Sequence, residues 1–161
     1  MKCLSCGTQM SVSRENHVYM SLPSVLLLDV EMRRCLDCRE EEVVIPNIEE
    51  LNHAIAAVLV GKPGRLAPDE FRFLRKTLGW SGRDLARRFH VRAEHVSRWE
   101  NGAKPISALA DLLLRMCVVH EQPIQDYRVA TLGDVAGKDP AQCWIGAHRG
   151  AASRSWEAHA A

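Results

Sequence analysis

The chain has six cysteines, and four of them fall into two short pairs, Cys3-Leu4-Ser5-Cys6 and Cys35-Leu36-Asp37-Cys38. Each C-x-x-C turn presents two thiolates on one knuckle. Two knuckles close a tetrahedral sphere around one metal ion, with metal–sulfur bonds of about 2.3 Å. Four soft ligands leave no open coordination position, so the expected chemistry is structural, and Zn2+ is the ion it suits. Gly7, directly after Cys6, permits the left-handed turn that lets backbone amides reach the sulfurs. Two redox-active C-x-x-C motifs would need a thioredoxin-like βαβ context, which the sequence lacks, and a cytoplasmic setting disfavours two disulfides. Cys117 sits in an apolar run and reads as a small core residue. Cys143, Trp144 and His148 are scattered and carry only a weak metal signal.

A second chemistry comes from charge. Residues 1–60 carry five Lys/Arg against nine Asp/Glu, residues 61–120 carry twelve against six, and residues 121–161 carry four against five. A basic block between acidic ones points to a polyanion as its partner. Within it, a helix over Ala93–Glu100 buries Val96 and Trp99 and turns Glu94, Ser97, Arg98 and Asn101 outward. Side chains so placed can enter a major groove of double-stranded DNA. Arg98 has the fork that bonds guanine O6 and N7, and Glu94 could accept from cytosine N4. The alternative for Glu94 and Arg98, at i and i+4, is a surface ion pair. Arg83, Arg87, Arg88 and Arg92 are placed for phosphates, which add affinity without sequence information.

These side chains need elements to position them. Val25–Leu28, Val30–Met32 and Val43–Ile45 read as short strands, and Ile48, Leu51, Ile55, Val58 and Leu59 as the buried stripe of a helix beginning near Asn47. Glu40-Glu41-Glu42 reads as a solvated turn, with a docking surface for a basic protein as the alternative. Gly61-Lys62-Pro63-Gly64-Arg65 has the composition of a break. Pro68 opens a helix that Gly79 ends, and Ser81 to Asp84 resembles a capping box for a second. A turn at His90–Arg92 leads to the third, which Gly102 terminates. Two short helices joined by such a turn describe a helix-turn-helix. A last helix, from Pro105 to about His120, is apolar on two sides. One side closes the core and the other suits a homodimer, which would set two recognition helices about 34 Å apart on a palindromic operator.

The expected fold class is α+β: a small N-terminal zinc-bound β/α module over 1–60, a linker at 61–67, an all-α helix-turn-helix domain over 68–121 and a partly disordered extension over 122–161. A structural metal offsets the small core of a sixty-residue module. In the extension Ile124–Leu132 suggests a strand or docking segment, and Ala151–Ala161 a frayed end. Apolar residues make up 47% and charged residues 25%, an ordinary globular composition. The longest apolar run, Ala54–Val60, is far short of the roughly twenty residues of a membrane span. With no basic-then-apolar leader, the expectation is a cytoplasmic protein without a membrane partner.

Arg75-Lys76-Thr77-Leu78-Gly79-Trp80-Ser81, Leu85-Ala86 and Val96-Ser97-Arg98-Trp99-Glu100-Asn101-Gly102 resemble the Xre/Cro-repressor helix-turn-helix family, above all in the closing Trp-Glu-Asn-Gly. That resemblance implies a structural salt bridge between Arg75 and Glu100. The order of parts, Met-Lys-Cys-x-x-Cys-Gly, a second C-x-x-C and then an Xre-type domain, resembles the MqsA-type antitoxins with their YgiT-type zinc module, over about residues 1–120. It implies zinc ligands at Cys3, Cys6, Cys35 and Cys38, a groove arginine at Arg98, a small toxin bound through the zinc module, and a dimer that represses its own operon. Glu94 replaces the base-reading asparagine of that family, so the operator should differ. Gly82 and His90 stand where Xre domains often have glutamine and glycine, and residues 121–161 extend beyond the pattern. A stand-alone Xre-type regulator without a toxin is the alternative function. An enzyme is disfavoured, because the sequence lacks an open metal site, a nucleophile–base pair and a phosphate-binding loop.

Overall fold

The computed structural model describes residues 1–121, 144–150 and 155–160. Strands β1 (Met10–Val18) and β2 (Val25–Cys35) form an antiparallel hairpin, with Met10 opposite Cys35 at one end and Val18 opposite Leu26 at the other. The two apolar runs that read as strand-like therefore both lie in β2. The register shifts between Glu15 and His17, beside Asp29, which has a left-handed φ of 51°. Side chains of β1 satisfy its backbone there: Asn16 Oδ1 accepts from the Asp29 amide at 3.1 Å, and Arg14 Nη1 donates to the Asp29 carbonyl at 2.9 Å. Strand β1 had no apolar run to announce it, because most of its side chains face solvent.

Strand β3 (Glu41–Val44) lies antiparallel to the far half of β2. Glu41 and Glu42, expected in a solvated turn, are strand residues opposite Arg34 and Arg33, and they pair with those arginines at 2.9 and 3.8 Å. Cross-strand opposite charges are what make so acidic a segment tolerable as a strand. Helix α1 (Ile48–Gly61) follows, with Glu49 and Glu50 in its first turn and Leu51, Ile55, Ala56, Leu59 and Val60 buried.

Helices α2 (Pro68–Thr77), α3 (Gly82–Arg88), α4 (Ala93–Glu100) and α5 (Ala108–Glu121) come next. The last begins at Ala108 rather than Pro105, because Ser107 caps it: Ser107 Oγ accepts from the Ala110 amide at 3.2 Å. The chain then returns to the sheet. Strand β4 (Ile145–Arg149) runs parallel to β2, and β5 (Trp156–Ala160) pairs antiparallel with β4. The strand order is β1-β2-β4-β5, with β3 also on β2. Part of the end expected to fray is thus a strand. The buried Trp156 anchors it, its indole N–H donating to the Pro46 carbonyl at 2.7 Å. The Ile124–Leu132 segment and Cys143 lie outside the described residues.

One apolar core runs from Leu22, Val25 and Leu27 of the sheet region through Ile55 and Leu59 of α1 to Phe71, Leu74, Leu114 and Val118 of the helices. Cys3, Met10 and Cys35 form a separate small cluster at the knuckle end. In the stretch expected as a linker, at the corner between α1 and α2, Lys62, Gly64 and Leu66 are buried, while Gly61 and Pro63 are exposed. Lys62 Nζ bonds both Glu70 carboxylate oxygens at 2.8 Å, in a pair only 2% exposed. Arg115 is 0% exposed, and its guanidinium donates to the carbonyls of Leu59, Val60, Lys62 and Gly64 at 2.7–3.2 Å. Asp111 completes the network, accepting from Arg115 Nε at 3.0 Å and from the Leu66 amide at 2.8 Å. The carbonyls left over at the end of α1 thereby find a cationic donor without water.

Candidate metal centre and nucleic-acid interface

The two knuckles repeat one backbone pattern. In the first, the Cys3 amide donates to Thr8 O at 2.8 Å and the Gly7 amide to Cys3 O at 2.9 Å. In the second, the Cys35 amide donates to Glu40 O at 2.9 Å and the Arg39 amide to Cys35 O at 3.1 Å. The residue after the second cysteine of each pair is left-handed, Gly7 at φ 76° and Arg39 at φ 60°. Glycine adopts that conformation without cost, whereas arginine does so only because the surrounding bonds hold it there. Two cross-knuckle bonds, Thr8 Oγ1 to Asp37 and Ser5 Oγ to Glu40, add to the closure.

This frame brings all four sulfurs within 4.8 Å of one another, with Cys3 to Cys38 at 3.5 Å and Cys6 to Cys35 at 3.3 Å. A tetrahedral ion with bonds near 2.3 Å spaces its sulfurs about 3.8 Å apart, so the four could hold one metal ion with little movement. Cys3 and Cys35 face the buried side, and Cys6 and Cys38 face solvent. Hydrogen bonds from the Thr8 hydroxyl and amide lower the Cys6 thiol to about 6, in the range where it is the thiolate that a metal requires. At Cys38 the Glu40 amide pulls in the same direction, but bonding to the other thiols prevails and raises it to about 12. Metal uptake at neutral pH must therefore expel a proton from the cluster.

In the helical region both ends of α3 are set by residues near in sequence. Ser81 Oγ accepts from the Asp84 amide at 3.1 Å, and Asp84 Oδ2 accepts from the Ser81 amide at 2.9 Å. This reciprocal cap holds the Asp84 carboxyl below its ordinary range, the Ser81 hydroxyl contributing most and its amide next. His90 takes the left-handed φ of 52° that the turn needs, although it is not glycine. Val96 and Trp99 bury one face of α4, where Trp99 meets Phe71 edge-on at 6.0 Å.

Arg75 and Glu100, the pair implied by the resemblance, are joined, with Nη2 to Oε2 at 3.0 Å. Arg75 also donates to the Trp80 carbonyl, tying α2 to both sides of the turn. Sequence reasoning missed Arg72, whose Nε lies 3.4 Å from Glu100 Oε2 and whose Nη2 donates to Asn101 Oδ1 at 2.8 Å. Its signal was its place one helical turn before Arg75.

The expected contact residues divide into two groups. Glu94, Ser97 and Arg98 are exposed on α4, and no ion pair joins Glu94 to Arg98. Arg83 and Arg92 are exposed beside them. Asn101 is exposed but held by Arg72, with its amide 3.4 Å from Ser97 Oγ. Arg87 pairs with Asp84 at 2.7 Å, and Arg88 stacks over the Trp80 ring at 4.4 Å. A cleft lined by Ser81, Gly82, Arg83, Ala93, Ser97 and Asn101 runs between α3 and α4. On α5 the side chains of Leu109, Leu113 and Met116 form an exposed apolar stripe.

Among the described residues no helix is long and apolar enough to cross a membrane. No curated protein and no solved structure matches the chain. Residues 71–115, from the first buried ring of α2 to Arg115 in α5, match the family described as Helix-turn-helix, and this part of the chain is similar to such domains.

Proposed function

We propose that this chain is a homodimeric repressor that binds a palindromic operator through α4, carries one structural Zn2+ on Cys3, Cys6, Cys35 and Cys38, and serves as the antitoxin of a toxin–antitoxin pair. The observation that carries the DNA-binding part is the exposed face of Glu94, Ser97 and Arg98 on a helix clamped from behind by Arg75 and Arg72. A recognition helix must be held rigidly before its side chains can discriminate bases. Arg98 reads a base, Glu94 and Ser97 contribute to the same reading, and Asn101 presents its amide from a fixed position. Arg83 and Arg92 meet phosphates. Arg87 and Arg88, already engaged with Asp84 and Trp80, add charge at the rim. The stripe of Leu109, Leu113 and Met116 supports dimerisation through α5.

The antitoxin role rests on the resemblance of the knuckle module and its placement ahead of the helix-turn-helix. It is supported by Leu4 and Leu36, which project from equivalent knuckle positions at 94% and 81% exposure. A stand-alone regulator is the second reading. It is favoured by β4 and β5, which add to the sheet a part outside the antitoxin pattern.

Footprinting of the wild-type protein upstream of its own gene tests the DNA reading. Arg98→Ala should cost about 1–3 kcal/mol of specific binding with the fold unchanged, whereas unaltered operator affinity would remove Arg98 from the groove. Co-expression with the adjacent gene separates the two roles. A co-purifying small protein whose toxicity is relieved supports the antitoxin, and its absence leaves the regulator.

A further inference from the structure

Strand β2 changes partner partway along one edge. Its other edge lies against β1. On this one β4 pairs with Val25, Leu26 and Leu27, and β3 pairs with Glu31 to Arg34, so Leu28, Asp29 and Val30 fall between the two. The left-handed Asp29 stands at the centre of that gap, with its amide and carbonyl both taken on the β1 side, by Asn16 and Arg14. A cavity of about 210 Å3 opens there.

The lining divides into apolar walls and a charged rim. Leu28, Val30, Val44, Pro46 and Trp156 supply the walls. The indole N–H of the buried Trp156 is spent on the Pro46 carbonyl, so the ring offers the cavity only carbon. At the rim Asp29 pairs with Arg14 at 3.2 Å, and Glu31 with Arg33 at 2.7 Å. Both rim acids therefore already have a cation. Arg149, at the end of β4, brings a further guanidinium to the lining, and its five N–H donors are more than one partner uses. An incoming anion meets matched acids and donors in excess. An incoming cation would have to displace an arginine from its carboxylate.

Size narrows the class. An apolar cavity of about 150 Å3 holds benzene, so this one takes a single ring with one small substituent. We propose that the gap in the sheet between β3 and β4 binds a small aromatic carboxylate, with its ring among the apolar walls and its carboxylate on Arg149. The ligand fastens β4 and β3 to β2 at the point where neither strand reaches. The site shares no residue with the cysteine cluster or with α4, so its test stands or falls apart from the DNA-binding reading.

The test is isothermal titration of the intact chain with benzoate, and with benzyl alcohol as the same ring without the charge. Benzoate should saturate a single site, and benzyl alcohol should bind about tenfold or more weakly. Val44→Phe, at a half-buried position outside the apolar core, should fill the cavity and abolish binding. Arg149→Gln should weaken benzoate about tenfold or more. In hydrogen exchange, benzoate should slow the amides of β3, β4 and β5 and leave α2 to α5 unchanged, a readout that needs no substitution. No saturation by about 10 mM, the weak limit for a ligand of about nine heavy atoms, would overturn the site. So would benzoate binding that a folded Val44→Phe chain retains, or protection that falls on the helices alone. Unweakened binding to the Arg149→Gln chain, or benzyl alcohol as tight as benzoate, would overturn the carboxylate.

Discussion

The two ends of the sheet region are held by opposite means. At the knuckle end only Cys3, Met10 and Cys35 form a buried cluster, and four sulfurs pointing at one centre take the place of a core. At the corner the apolar core is continuous with the helices, and four charged side chains, Lys62, Glu70, Asp111 and Arg115, are buried inside it. The first end offers four sulfurs that could hold an ion from solvent, whereas the second is satisfied by the chain's own donors and acceptors. Small modules resort to metals because they lack apolar area. A buried polar network adds little net stability, but it fixes one geometry when every member is satisfied.

The sharpest way to break this comparison is at Arg115. Arg115→Ala strips donors from four carbonyls and leaves Asp111 buried without its partner. Removing one side of a buried pair costs about 3–5 kcal/mol. Because the core is shared, the loss should appear as a single lowered unfolding transition of sheet and helices together in denaturant titration. Two separate transitions would mean that the corner does not couple them.

A smaller and more local effect should follow removal of the metal. Chelation should erase hydrogen-exchange protection around residues 1–10 and 33–42 while α2 to α5 keep theirs. Loss of protection in the helices would extend the knuckle end into the main core. Acid should act in the same direction: protons compete with the metal for the sulfurs, so a bound ion is held at neutral pH and lost on acidification. The mildest perturbation is Ser81→Ala, which removes the cap of α3 and should cost about 1 kcal/mol in thermal unfolding without touching either end of the sheet.

What could be read in the sequence follows the same division. The knuckles and the helix-turn-helix are local devices: ligand spacing, a capping box and a left-handed turn each fit within ten residues. At the corner Gly61-Lys62-Pro63-Gly64-Arg65 has the composition of a break, and the bonds it receives at Lys62 and Gly64 come from Arg115, far along the chain. The available signal was a charged i, i+4 pair, Asp111 and Arg115, inside an otherwise apolar helix, where unpaired charges are not tolerated. Strands β4 and β5 were equally hidden. Ile145-Gly146-Ala147 and Ala158-His159-Ala160 have weak intrinsic strand preference, and pairing with the edge of β2 imposes their conformation. Arg72 and Asn101 show the limit at the candidate interface, where the helical face was legible but the bond between them was not.

The return of β4 to β2 has a consequence for how the protein is made. Val25 pairs with Ile145, far along the chain, so this part of the sheet cannot close until β4 has left the ribosome. The helices can fold while that edge of β2 is still bare. A chain stopped or clipped after α5 would expose an unpaired strand edge beside Leu27, a template for joining other copies. Synthesis as far as β4 is thus the step that protects this protein from its own sheet.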